Sequence, residues 1–184
     1  MLSPALKLFS CLLTFNLLVA CTTLPNSNSK TERWGISGKI GITTPTETVA
    51  GFIEWQQNDE QFDVYVSGPL SIGSARIHGD RASISISQNG KTTSGINPQA
   101  LIYEQLGWYF PLENLPYWLK GNIAPFSKAK VSKNENGRLN TFEQDQWQVT
   151  YSRYNNYYDQ PSRIKITQGE WKFLIVIKNW TFDT

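Results

Sequence analysis

The chain has 184 residues, enough for one sizeable hydrophobic core and short for two. Aromatic residues make up 13% of it and charged residues only 17%, below the usual quarter or so, so much aromatic surface must find a place away from water, in a core or in a cavity. The formal charge of +2 gives no electrostatic footprint for nucleic acid, and the cluster Lys128, Lys130 and Lys133 reads as a solvated loop face.

Met1 to Lys7 is a short, weakly basic start, followed by an apolar run from Leu8 to Ala20 that is too short to span a bilayer comfortably. It closes on Leu18-Val19-Ala20-Cys21 and resembles a bacterial lipoprotein signal, in which cleavage precedes the cysteine and the thiol takes a diacylglycerol. Residues 1–20 are therefore expected to be a signal peptide, and Cys21 the lipidation site. Thr22 in place of aspartate suggests an outer-membrane destination. Cys11 leaves with the signal and Cys21 is capped by lipid, so the mature chain is expected to hold no disulfide. The polar stretch that follows has no apolar period, and residues 21–33 are read as an acylated N-terminus and flexible tether. Residues 34–184 form the folded domain.

Within that domain, apolar and polar residues alternate over Trp34–Ile42, Phe62–Val66, Ala82–Ser87, Trp147–Ser152, Ile164–Ile166 and Trp171–Ile177, the pattern of half-buried strands. Turn pairs at Gly79-Asp80, Asn89-Gly90, Asn136-Gly137 and Gln168-Gly169 separate them. Many short strands joined this way predict a curved antiparallel sheet or barrel. Two helices interrupt it: one capped by Asn97, started by Pro98 and ended by Gly107, and a shorter one from the cap candidate Asn114 to Gly121. Beside a curved sheet they could plug or lid its concave side.

Little in the sequence points to catalysis. The only histidine, His78, lies on the polar parity of a strand with no nucleophile beside it, and reads as an ordinary exposed side chain. No spacing of His, Cys or carboxylates suggests a metal, and Gly35, Gly38 and Gly41 lie inside a strand pattern, where they relieve close packing or bending. No cofactor, metal or enzymatic activity is expected. The seven tryptophans carry more information, and by themselves they either fill a core or line an apolar pocket.

The block L-G-W-Y-F-P-L-E-N-L-P-Y-W-L-K-G, residues 106–121, resembles the Gly-Trp, Pro-Leu, Leu, Trp, Gly segment of the outer-membrane lipoprotein receptor family LolB. W-G-I-S-G-K-I from Trp34, G-F-I-E-W ending at Trp55, G-P-L from Gly68, Q-W-Q-V-T-Y from Gln146 and the terminal Ile177 to Trp180 follow the family in order, over nearly the whole mature chain. The resemblance implies an unclosed antiparallel half-barrel of about eleven strands, with helices covering its concave side. It further implies a monomeric lipoprotein on the periplasmic face of the outer membrane. Such a protein accepts lipoprotein cargo from the periplasmic carrier LolA and inserts it among outer-membrane phospholipids without nucleotide hydrolysis. Leu70 corresponds to the family's protruding membrane-insertion leucine. Ser71-Ile72 follows it where the family usually has glycine, so Ile72 either shares the insertion or folds back. Trp34, Trp55, Leu101, Ile102, Leu106, Trp108, Trp118 and Trp147 are the acyl-cavity candidates. A general binder of free lipid would use the same pocket, and a structural envelope lipoprotein would have none.

Overall fold

The computed structural model describes residues 32–68, 73–157 and 159–183. The signal peptide, Cys21, Leu70 and Ile72 lie outside the described residues. Residues 31–184 form one compact unit that contains the whole described core.

Six strands come first: β1 (Arg33–Thr43), β2 (Thr48–Asn58), β3 (Gln61–Ser67), β4 (Ala75–Gly79), β5 (Ile84–Gln88) and β6 (Lys91–Gly95). Two helices follow, α1 (Pro98–Leu106) and α2 (Leu115–Leu119), and then β7 (Lys130–Lys133), β8 (Leu139–Gln144), β9 (Trp147–Tyr154), β10 (Pro161–Gln168) and β11 (Trp171–Asp183). All eleven strands join one antiparallel sheet, ordered β6-β5-β4-β3-β2-β1-β11-β10-β9-β8-β7. Each half is a run of hairpins, and the first strand pairs with the last to join them. Strands β6 and β7 remain as unpaired edges, so the barrel is not closed. The edges carry Lys91 at one side and Lys130 and Lys133 at the other, charges that discourage pairing with a second sheet.

The inner parity supplies the core. Ile36, Ile40 and Ile42 of β1, Ile53 and Trp55 of β2, Val64 of β3, Val149 and Tyr151 of β9, Ile164 and Ile166 of β10, and Phe173 and Ile175 of β11 are all buried. Strand β11 changes parity once. A bulge opposite Ser37 and Gly38 inserts an extra residue, so Ile177 points inward before it and Trp180 points inward after it. Gly38 is required there, because a Cβ at that position would lie 2.1 Å from the Val176 carbonyl oxygen.

The strand expected to start at Ala82 starts instead at Ile84, because the Asp80 carboxylate accepts the N–H groups of Ala82 (2.8 Å) and Ser83 (2.9 Å) and holds them in a turn. Strands β6 and β7, K-T-T-S-G and K-V-S-K, show no apolar alternation and are recruited by their neighbours alone. Helix α1 begins and ends as the sequence indicates: Asn97 accepts the Ala100 N–H, and Gly107 terminates the helix at φ 69°. Asn114 does not cap α2. Its amide instead donates to Asp145 Oδ2 at 2.9 Å, tying the helix start to the β8–β9 turn.

Candidate acyl-binding site

The interior has two unlike halves. One is filled by rings and fixed by hydrogen bonds. Trp34 stacks on Trp55 with centroids 6.4 Å apart, Trp180 lies 5.7 Å from Trp34, and Phe62 lies 5.7 Å from Trp55. The Trp55 indole N–H donates to Gln57 Oε1 at 2.8 Å, which satisfies the polar end of a completely buried ring.

Helix α2 lies in this half and is pinned through Trp118. The Trp118 indole donates to Gln144 Oε1 at 2.9 Å, and its backbone carbonyl accepts the Tyr151 hydroxyl at 2.7 Å. Gln144, itself buried on β8, also accepts the Ala124 N–H (3.1 Å) and donates to the carbonyls of Ala124 (2.7 Å) and Ser127 (2.9 Å). One amide thus fixes a helix and the loop that follows it, with both its donors and its acceptor engaged. Burial pushes the Tyr151 hydroxyl well above the ordinary tyrosine range, with the neighbouring Tyr154 adding to the effect. Outside the helix, Lys120 bridges to Glu32 at 2.7 Å and sits over the Trp34 ring, 5.9 Å from its centroid.

The other half is aliphatic and open. Leu101 and Ile102 of α1 are buried, with Leu101 3.5 Å from where a Cβ on Gly95 of β6 would stand. Among the described residues no side-chain hydrogen bond joins α1 to the sheet. Past its C-terminus, a cavity of about 560 Å³ runs under Leu106 and Trp108, walled by Ile40, Ile42, Val49 and Val66 and bordered by Gly68 and Gly73. This volume lies in the range of small-molecule sites. The space exists because Val49, Gly51 and Val66 occupy the inner positions that Trp55 and Phe62 fill further along the same strands. Glu47, Ser67 and Gln88 are the polar residues that line it.

Of the acyl-cavity candidates, the structure places Leu106 and Trp108 on this cavity, with Leu101 and Ile102 buried in the same helix. The others stand elsewhere. Trp34 borders a cleft of about 90 Å³ with Lys120 and Glu32 and a second of about 400 Å³ with Arg33 and His78; Trp55 and Trp118 are closed in the core; Trp147 is buried beneath Tyr109, whose ring stacks on it at 5.8 Å. Sequence reasoning missed Ile40, Ile42, Val49 and Val66. Their signal is the inner parity of β1, β2 and β3, which marks a residue as inward-facing without telling core from cavity wall. His78 is exposed and lies 3.5 Å from Asp63, which also holds Arg76.

An unclosed antiparallel half-barrel, with one helix fixed in its concavity and an aliphatic cavity under the other, defines a carrier of hydrophobic ligands. Solved structures share this architecture. A LolA superfamily protein from Nitrosomonas europaea superposes with a TM-score of 0.52 over 84% of this chain and 87% of its own, at 9% identity. A putative outer-membrane lipoprotein-sorting protein domain from Vibrio parahaemolyticus gives 0.52 over 83% and 86%, also at 9% identity. These likenesses establish the fold. The family follows from sequence: residues 32–180 match the model of the outer membrane lipoprotein LolB, and the chain belongs to that family. Outer-membrane lipoprotein LolB of Pseudomonas fluorescens is 38% identical over 153 residues, covering 81% of this chain and 74% of its own length. The Pseudomonas aeruginosa relative is 37% identical over 155 residues, covering 83% and 76%.

Proposed function

We propose that this protein is an outer-membrane receptor that takes lipoproteins from a periplasmic carrier of the LolA kind and delivers them to the outer membrane, acting as a binding protein without catalysis. The observation that carries this reading is the position of the aliphatic cavity, bordered by Gly68 and Gly73 on either side of the segment that contains Leu70 and Ile72. An acyl site and a membrane-touching loop then share one end of the half-barrel, and cargo moves from one to the other over a short path.

Energetics favours such a route. Each CH₂ withdrawn from water contributes about 0.8 kcal/mol, so the acyl chains of a lipoprotein represent tens of kcal/mol if exposed, and free diffusion through an aqueous compartment is excluded. Transfer must pass from cavity to cavity. The open space under α1 accepts the first chain, and further chains enter as α1, which no side-chain hydrogen bond among the described residues ties to the sheet, moves away from β5 and β6. Acylated Cys21 holds the monomeric receptor on the periplasmic face of the outer membrane. Leu70, which loses roughly 1.5–3 kcal/mol of burial when held in water, regains it among phospholipid acyl chains.

The test is transfer of a labelled lipoprotein from loaded LolA-type carrier to the unlipidated chain carrying Cys21→Ala. Label is expected to move without added nucleotide. If it stays on the carrier while free lipid still binds, the protein is a general lipid binder and the receptor reading is overturned. Leu70→Glu is expected to leave acceptance intact and slow insertion into membranes; equal loss of both would remove the separate role of the loop.

A further inference from the structure

The outer face of the sheet assembles a charge pattern that the linear sequence scatters. Phe52 of β2 lies opposite Lys39 of β1, Lys39 opposite Val176 of β11, and Val176 opposite Arg163 of β10. Two residues closer to the cavity end, the next row is Gly41, Leu174 and Lys165, and the row beyond it Thr43, Lys172 and Thr167. Lys39, Arg163, Lys165 and Lys172 are all exposed, with half-buried Leu174 and Val176 between them and Phe52 51% exposed at the margin.

One exposed carboxylate, Glu54 of β2, lies on this face, opposite Ser37 and two residues from Phe52. Strands β1, β9, β10 and β11 carry seven lysines and arginines against a single acid, Asp183, at the far end of β11. Among the described residues none of the four central cations has an ion-pair partner, whereas Arg76, Arg81, Lys120, Lys130 and Arg138 each have one. Keeping four unpaired cations within three adjacent strands costs electrostatic repulsion that a neutral face would avoid, and long lysine stems beside leucine, valine and phenylalanine suit an interface with apolar material beneath an anionic layer.

We propose that this face is a membrane-contact surface that binds the phosphates of anionic phospholipids and lays the half-barrel on strands β1, β10 and β11. The proposal rests on the reading of the protein as a lipid-anchored receptor. Two geometric facts favour a membrane over an acidic protein as the occupant. The patch is continuous with the cavity end, because Ser67, the last residue of β3, is in register with Phe52. The second fact is where the chain outside the described residues begins: Arg33 starts β1 at the end opposite the cavity. Eleven residues of strand span about 36 Å. The ten residues from Thr22 to Thr31, ahead of the first described residue, reach about 35 Å only when fully stretched and as a coil average roughly 17 Å. A domain standing upright on its cavity end would need a nearly taut tether, whereas a domain lying on its basic face brings both ends of β1 to the same surface with the tether relaxed.

The test compares the unlipidated chain with its K39Q/R163Q/K165Q/K172Q variant, sedimented with phosphatidylcholine vesicles made with and without phosphatidylglycerol. Every substituted position is exposed, and unchanged near-ultraviolet circular dichroism will show that the variant folds. Binding is expected to be at least tenfold tighter with phosphatidylglycerol, since each cation at an anionic surface contributes up to about fivefold, and to weaken steeply with salt. The variant is expected to lose this preference. Equal binding to both vesicles, or an unchanged variant, overturns the proposal. So does loss of cargo acceptance in solution by a folded variant, which would make the face a docking site for an acidic protein. Wild-type protein that prefers anionic vesicles through these cations yet accepts no cargo would support the surface and overturn the receptor reading.

Discussion

The two helices occupy the same concavity but are held by different forces. Helix α2 has five residues, too few to be stable alone, and persists because Trp118, Gln144 and Tyr151 form a fully paired buried network across β8 and β9. Helix α1 has nine residues and good caps of its own, yet among the described residues no side-chain hydrogen bond ties it to β5 and β6, the strands it lies on. A directional polar network resists small displacements, whereas an aliphatic contact slides at little cost. The fixed half is tied together by side-chain hydrogen bonds from strand to helix to loop, whereas the half beside the cavity lacks such ties between helix and sheet among the described residues. The aromatic and aliphatic fillings follow the same division.

Breaking the fixed half should produce the largest effects. Trp118→Ala removes a completely buried indole and one of the two N–H groups that Gln144 Oε1 accepts; a loss of about 4 kcal/mol in urea unfolding is expected. Gln144→Leu leaves the Trp118 and Ala124 N–H groups and two carbonyls buried and unpaired, and should cost about 3 kcal/mol in the same assay.

Tyr151→Phe deletes a single hydrogen bond and should cost about 1 kcal/mol at neutral pH. It also sharpens the comparison through pH. The folded Tyr151 hydroxyl holds its proton more tightly than the unfolded one, so its contribution is complete below the ordinary tyrosine pKa of about 10 and declines as pH rises above it. Tyr154, raised to about 12 chiefly by burial, acts in the same direction. Stability measured from pH 9 to about 12 should therefore fall less steeply in Tyr151→Phe than in the wild type.

In the open half, Asn97→Ala removes the cap of α1 and should cost about 1 kcal/mol, with hydrogen exchange rising in α1 and unchanged in α2. Trp108→Ala enlarges a space that already exists, so it should alter stability by less than about 1 kcal/mol while weakening binding of a fluorescent acyl ligand severalfold. If it destabilises as strongly as Trp118→Ala, the division between the halves is wrong.

Much of this was legible in the chain. Strict alternation identified β1, β3, β9 and the main part of β11, because inner and outer residues differ wherever one face is buried. Asn97, Pro98 and Gly107 marked both ends of α1, because capping is a local affair of backbone and side chain. The ordered blocks from Trp34 to Trp180 pointed to the family and with it to the half-barrel. Leu106 and Trp108 stand among eight cavity candidates that the sequence does not rank.

What remained depends on partners distant in sequence. Asn114 looks like a helix cap until Asp145, thirty-one residues away, takes its amide. Trp55 and Trp118 resemble pocket residues until Gln57 and Gln144 bury them as core. Lys39, Arg163, Lys165 and Lys172 are unremarkable surface charges in their own strands, and only the pairing of the first strand with the last brings them onto one face. Local pattern determines which residues turn inward and where helices start, because those choices are settled within a few residues of backbone. Cavity and surface charge are sums over strands far apart in the chain, and the register of the sheet decides them.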